Sequence, residues 1–292
     1  MRLFKLTLRQ RQAYYGYLFI LPWLIGFLVF VARPFTHSIK LAFSTVDMMA
    51  GFRLNYVGWA NFNEAFFIDE RFVPILMTVL QRNLVDVPII LTFALFTAFL
   101  VNQKIRGVML FRAVFFLPVV IASGLVVQRL FQQGVGRLDA VVALNIPTLV
   151  YMYLPLQFAD IAVDVMNRLT LILWRSGIQI LLFIAGLQGI SPTLYEASRI
   201  DGASDWEIFW KITLPMLSPI ILVNTIYTIV DGFTDIFNPM VNFLRTVAFS
   251  GSFRLGYAAA LGWIYFLLVF ILIGTVFITS KKWVFYGGER EG

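Results

Sequence analysis

Long apolar runs broken by short charged stretches organise this chain. The 21 residues from Gln12 to Ala32 carry no charge, enough for a helix to cross a hydrocarbon core about 30 Å thick. Similar runs predict spans at about 14–33, Phe72 to Asn102, Leu110 to Phe131 with a kink at Pro118, 169–190, Met216 to Phe237 and Leu261 to Lys281. Pro34 to Arg71 is mixed and polar and reads as an outer loop. Ala140 to Ala159 is uncharged too, but Asn145, Pro147, Pro155 and Gln157 favour an outer loop or interfacial segment over a crossing. The predicted fold class is an all-α polytopic membrane protein of six transmembrane helices, with 1–292 as a single domain.

Charge orients these spans. Arg2, Lys5, Arg9 and Arg11 precede the first span without an acid, Lys104, Arg106 and Arg112 follow the second, and Lys281 and Lys282 close the last. Basic clusters mark the cytoplasmic side, so both termini are expected inside, although Arg245 and Arg254 sit in an outer loop. The N-terminus resembles a secretory signal, but its apolar run is long enough to span and no small-residue cleavage site follows. An uncleaved first helix is expected.

One polar island interrupts the apolar pattern, Tyr195 to Pro219, with Glu196, Arg199, Asp201, Asp205, Glu207 and Lys211 in a protein that is 13% charged. Parity puts it on the cytoplasmic face. Ser191 before Pro192 is a helix start, and Thr193 with Glu196 offers a competing capping box. Asp201-Gly202 is a turn signal, Ser204 with Glu207 opens a second helix through Trp206, Phe209 and Trp210, and Pro215 is expected to end it. Two short helices meeting at Gly202 form an L whose aromatic face suits a cleft on another protein.

Composition narrows the chemistry. Hydrophobic residues make up 60%, with 30 Phe and a mean hydropathy of +0.82, too apolar for a soluble globule. The net charge of +7 belongs to topology rather than to nucleic acid. There is no Cys, and His37 is the only His, which leaves little material for a metal site or a catalytic triad. No Gly-Lys pair occurs, so there is no phosphate-binding loop of the Walker type. The chain does not read as an enzyme, and any ATP it depends on is hydrolysed by another chain.

The run LFIAGLQGISPTLYEASRIDGASDWEIFWKITLP, with Glu196-Ala197-Ser198, then Gly202, then Leu214-Pro215, resembles the EAA loop of permease subunits in bacterial binding-protein-dependent ABC importers. It is similar to the carbohydrate-uptake branch, the relatives of the maltose importer's permeases. YLFILPWLIGFLVF in the first span and VGWANF in the first outer loop extend the resemblance over most of the chain. Ser198 departs from the family's usual second Ala but is small enough to keep the packing.

The resemblance implies a coupling loop at about 191–215 that docks into a cytoplasmic ATPase subunit. Its residues would be Glu196, Ala197, Ser198, Asp201, Gly202, Ala203, Trp206, Phe209, Leu214 and Pro215. Gly202 would make the bend, and Glu196 would either contact the ATPase or cap its own helix. The implied assembly holds a homologous second permease, two ATPase copies carrying ATP and Mg, and an extracellular or periplasmic solute-binding protein. It would sit in the bacterial inner membrane, surrounded by lipid, and move a sugar.

Polar residues within spans mark a candidate path, since a central Asp costs about 2.5–3.5 kcal/mol on insertion scales. Asn224, Tyr227, Thr228, Asp231, Thr234 and Asp235 share an arc of about 120° on the fifth helix. Such a stripe suits sugar hydroxyls and ring stacking, or it satisfies itself across a permease dimer. The family resemblance places Tyr227, Asp231 and Thr234 at sugar-contact positions, and Trp174, Arg175, Ile178 and Gln179 near others. Arg175 has three roles open: pairing with Asp231, holding an acidic sugar's carboxylate, or snorkelling to the outer surface, which its place at a span end favours. Asn83, Asp86 and Gln128 are in reserve as path or packing residues. An ion-coupled secondary sugar transporter working through Asp86 and Asp231 is the competing reading, and it leaves the Glu196 to Pro215 spacing without a purpose.

Overall fold

The structure, a computed structural model, describes residues 8–47, 51–102, 146–156, 158–160, 162–163, 172, 175–235, 238–250 and 253–285. The expected span at 110–131, Gln128 and Trp174 lie outside the described residues. Almost everything described is helix. Among the described residues, stretches at Tyr14–Ala42, Phe72–Asn102 and Leu255–Ser280, and one beginning at Asp205, are long and apolar enough to cross a membrane. Gly177–Gly189 with Pro192–Ile200 is a fifth candidate bent by 62°. The stretch expected to be a loop or interfacial segment holds a helix at Ile146–Tyr153. The fold class is therefore the expected helical membrane protein.

The chain clusters into two compact units, one of residues 1–79 and 236–268, the other of 80–235 and 269–292. In the first, α1 (Leu8–Phe27) passes through a π turn, Leu28–Ala32, into α2 (Arg33–Ala42). The expected loop at Pro34 is instead helix. Arg33 N–H bonds Leu28 O, one residue further back than in an α-helix, and Pro34 falls in the first turn of α2. The widened turn admits the ring that would clash in a regular helix interior.

After α2 come β1 (Ser44–Asp47) and β2 (Arg53–Tyr56), an antiparallel pair with Ser44 opposite Tyr56, and then α3 (Ala60–Phe67). Buried Asn61 donates Nδ2 to Ala42 O at 2.8 Å and Ser44 O at 3.1 Å, fixing the hairpin to the end of α2. The other stretch of this unit holds α10 (Pro239–Phe249) and the start of α11 (Leu255–Ser280). Arg254 pairs with Glu64, and Tyr257 Oη donates to Asp69 at 2.9 Å. A Cβ on Gly256 would overlap the Ser44 carbonyl oxygen, so only glycine permits this approach.

The second unit is built from α4 (Phe72–Asn102, from residue 80 on), α6 (Gly177–Gly189), α7 (Pro192–Ile200), α8 (Asp205–Ile208) and α9 (Leu214–Thr234), with α5 at Ile146–Tyr153. Ala94, Ala98 and Val101 of α4 pack with Ile180, Phe183, Ile184 and Leu187 of α6 and with Leu217 of α9. An added Cβ on Gly186 would lie 2.9 Å from both Ile220 Cγ1 and Leu217 Cδ2. A small residue there lets α6 and α9 approach closely, as membrane helices do when lipid offers no hydrophobic drive.

Pro215 does not end the second short helix. α8 runs through a π turn, Phe209–Thr213, into α9, with Leu214 N–H bonded to Phe209 O and Pro215 in the first turn. The same device carries the chain past Pro34 and Pro215. Pro219, one turn on, has no N–H for the Pro215 carbonyl; the Ser218 hydroxyl donates to it at 2.6 Å and accepts the Phe285 N–H at 2.8 Å.

Ser218 is 3% exposed, so Ser218→Ala would leave a carbonyl and an N–H without partners, at a cost of about 2 kcal/mol. The detergent-solubilised variant is expected to unfold at lower temperature, whereas Ser218→Thr, which keeps the hydroxyl, stays near the parent. Equal midpoints for the Ala variant and the parent would remove this role.

Candidate functional site

The polar island folds into the expected L, with capping that differs in detail. Ser191 is the N-cap of α7, but its hydroxyl bonds Thr193 Oγ1 at 2.7 Å and caps nothing. The Thr193–Glu196 box is absent. Glu196 lies mid-helix and exposed, with no hydrogen bond or ion pair to any described residue, so self-capping drops out as its role. Ala197 is exposed, and half-buried Ser198 donates to Leu194 O at 2.6 Å.

The bend forms at Gly202, whose φ is +80°. Its N–H bonds Arg199 O at 3.1 Å, and Ala203 N–H bonds Ser198 O at 2.9 Å, while Asp201 is the C-cap. This is a complete Schellman closure with glycine at the left-handed position. A Cβ there would meet nothing within 4 Å, so backbone conformation, not space, demands glycine.

Ser204 and Glu207 make the expected capping box. Ser204 N–H reaches Glu207 Oε2 at 3.0 Å, and Glu207 N–H reaches Ser204 Oγ at 3.3 Å. Lys211 Nζ adds an ion pair to Glu207 at 3.1 Å. The Ser204 backbone bond, then Lys211 and the Ser204 hydroxyl, hold the Glu207 carboxyl down to about 2.

The three aromatic residues of the L pack on one another, Phe209 against Trp210 with centroids 5.1 Å apart and Trp206 against Trp210 at 5.5 Å, but they are not equally exposed. Phe209 packs edge-on against Phe99 of α4, with centroids 5.5 Å apart, while Trp206 is 70% exposed and Trp210 lies beside it, also exposed. Ile200, 86% exposed, and Leu194 extend the apolar surface. Leu214 and Pro215 are half-buried at the root of α9.

The polar stripe of α9 divides lengthwise. Asn224 and Thr228 are buried against α6: Gln179 Nε2 donates to Thr228 Oγ1 at 3.1 Å, and Asn224 Nδ2 to Gln179 O at 3.2 Å. Gln179, Asn224 and Thr228 therefore hold two helices together and do not line an open surface. Tyr227, Asp231 and Thr234, at i, i+4 and i+7, form the adjacent row that reaches the surface, Tyr227 and Asp231 half-buried and Thr234 exposed.

Arg175 does not snorkel. Its side chain is 11% exposed; Nε and Nη2 reach Asp231 Oδ2 at 3.3 and 3.2 Å, and Nε lies 3.9 Å from Asp235 Oδ2. Two carboxylates on the next helix outweigh the reach to water. Asp86 is buried one turn from Arg82 of its own helix, 3.7 Å away, and Asn83 is buried too. The residue missed from sequence is Gly232, where a Cβ would overlap Asn83 Oδ1 and lie 2.9 Å from Arg175 Nη2. A glycine beside an acid in a polar stripe was the available signal.

A family profile described as binding-protein-dependent transport system inner membrane component matches residues 87–284. The chain is 30% identical over 292 aligned residues to the probable ABC transporter permease protein YesP of Bacillus subtilis, covering 94% of this chain and 93% of that one. It is 29% identical over 287 residues to the lactose transport system permease protein LacF of Rhizobium radiobacter, covering 91% and 94%. Among solved structures, a bacterial ABC transporter involved in import of the acidic polysaccharide alginate aligns with a TM-score of 0.66 over 93% of this chain and 96% of that one. At 18% identity that likeness speaks for the fold.

The Glu207 contacts generate a pH dependence. A carboxyl whose folded value is about 2 against an ordinary 4.5 stabilises the start of α8 fully above 4.5, and the contribution fades as pH falls toward 2. The protection factor of the Ser204 amide, its exchange rate normalised to the intrinsic rate at each pH, is expected to fall as pH drops through that window and to stay level above it. In Glu207→Gln the window should disappear; an unchanged profile would detach the cap from Glu207.

Proposed function

The chain belongs to the family of binding-protein-dependent transport system inner membrane components, and from that premise we propose that it is one of two homologous permease subunits enclosing the path of a sugar importer. The cargo is an oligosaccharide delivered by a binding protein. ATP with Mg is hydrolysed on two copies of a cytoplasmic ATPase subunit, and both termini of this chain lie on that same side.

The observation that carries this reading is the L at Gly202, a prefolded helical corner with exposed Ile200, Trp206 and Trp210 and an uncommitted Glu196. An amphipathic helical corner seats in a groove of a partner, and the family premise makes that partner the ATPase. α8 continues without a break into α9, so a displacement delivered to the L is passed to the helix bearing Tyr227, Asp231 and Thr234. That row supplies a ring for a sugar face and oxygens for hydroxyls. The sugar assignment is supported by relatives named for sugars. An ion-coupled carrier would need Asp231 free to exchange a proton, and its bonds to Arg175 favour the ATP-driven reading.

Two variants test the two ends. Gly202→Val forces a β-branched residue into the left-handed region, at about 1–2 kcal/mol or more, and is expected to prevent co-purification of the ATPase while the chain still inserts. Normal co-purification would detach the bend from docking. Asp231→Ala should assemble with the ATPase yet lower sugar uptake at least about tenfold, the worth of one charged hydrogen bond. Unchanged uptake would remove the row from the path.

A further inference from the structure

Arg175, Asp231 and Gly232 meet where the start of α6 faces the end of α9. Both guanidinium contacts to Asp231 go to one oxygen, Oδ2, which leaves Oδ1 uncommitted to Arg175 on a side chain that is partly exposed. The guanidinium reaches this position over the backbone of Gly232. An added Cβ at 232 would lie 2.9 Å from Arg175 Nη2 and would overlap Asn83 Oδ1 outright. Gly232 is buried in a regular helix, so its backbone conformation does not call for glycine. Space does.

We propose that Gly232 is a positioning residue that sets the charge of the transport path, by admitting Arg175 against Asp231 so that this carboxylate meets the cargo neutralised and with one oxygen free. A path so arranged offers an acceptor to a sugar hydroxyl without the bare negative charge that would favour a cation. The side chain at 232 thereby decides whether the row Tyr227, Asp231 and Thr234 reads hydroxyls or charge. The inference rests on the reading that this row lines the sugar path; the seating of Arg175 is tested separately from it.

The chain contains no cysteine, so Asp231→Cys, made together with Asp235→Asn because Asp235 would otherwise neutralise the same guanidinium from 3.9 Å, places a single thiol beside Arg175 on a side chain that is 37% exposed in the parent. In membranes holding the assembled complex, its reaction rates with an anionic and a cationic methanethiosulfonate of similar size report the local charge. A seated guanidinium is expected to favour the anionic reagent by about tenfold at this range. The preference should vanish with Arg175→Gln and fall below about twofold with Gly232→Ala.

If the Gly232→Ala chain does not accumulate, adding Asn83→Ala removes the worst overlap and keeps the one with Arg175, so the preference should still fall. Sugar uptake by Gly232→Ala alone is expected to drop while the ATPase co-purifies normally. Absence of a preference in Asp231→Cys, or a preference that survives Gly232→Ala, would overturn the assignment. A preference in Asp231→Cys that Gly232→Ala abolishes, combined with normal uptake in Asp231→Ala, would instead strike the path reading and leave the seating of Arg175 intact.

Discussion

A backbone carbonyl or N–H within hydrocarbon has no water to turn to, and the protein must satisfy it internally. α9 meets this demand despite two prolines in its first turns and seven polar side chains along its length. A π turn absorbs Pro215, and a serine hydroxyl fills the gap left by Pro219. The helix that these devices preserve joins the L to the polar row in one rod. A break at Pro215 would have put a hinge between the two, and motion at one end would have dissipated before reaching the other.

The same demand explains why the polar stripe is split. Unpaired, Asn224 and Thr228 would each cost more than a hydrogen bond returns, and α6 supplies Gln179 and its carbonyl as partners. The same rule governs Arg175, whose side chain is 11% exposed and whose charge is met by Asp231 and Asp235. Along one seam, from the L outward, lie the close approach at Gly186, the amide contacts of Gln179, and the ion pair of Arg175. The neighbouring row, Tyr227, Asp231 and Thr234, reaches the surface instead. Part of the polarity holds the helices together, and the proposed path draws on the rest.

Much of this was legible in the sequence because it is local. Ser204 and Glu207 stand three apart, Gly202 follows Asp201, and the spacing alone yields a cap and a bend. Phe72 to Asn102 is bounded by charge, and α4 begins at Phe72 and is helical through Asn102. The helix continuing through Pro34 and Pro215 was not legible, because a proline's effect depends on whether the preceding turn widens. Nor was the division of the stripe: a helical wheel gives angles but not neighbours, and only α6 separates Asn224 and Thr228 from Tyr227 and Asp231. Arg175 follows the same logic, since a span end suggests water unless carboxylates of a neighbouring element lie within reach, as Asp231 and Asp235 do. Gly232 left only a faint trace, because the atoms that need its space come from Asn83 and Arg175, far away in sequence.

The L also divides its residues between folding and recognition. Its corner is closed by Schellman bonds, its second helix by the Ser204–Glu207 box, and Phe209 braces it against Phe99. These contacts are complete without a partner, so docking need not pay to order the segment, and preorganisation of that kind raises affinity without adding contacts. Glu196 stands apart from this division: a charge held mid-helix, bonded to no described residue, contributes nothing visible to the corner's own stability. Glu207, eleven positions on, is committed on both oxygens. Two acids on one small motif thus have opposite standing, one spent on the fold and the other available to whatever surface receives the L.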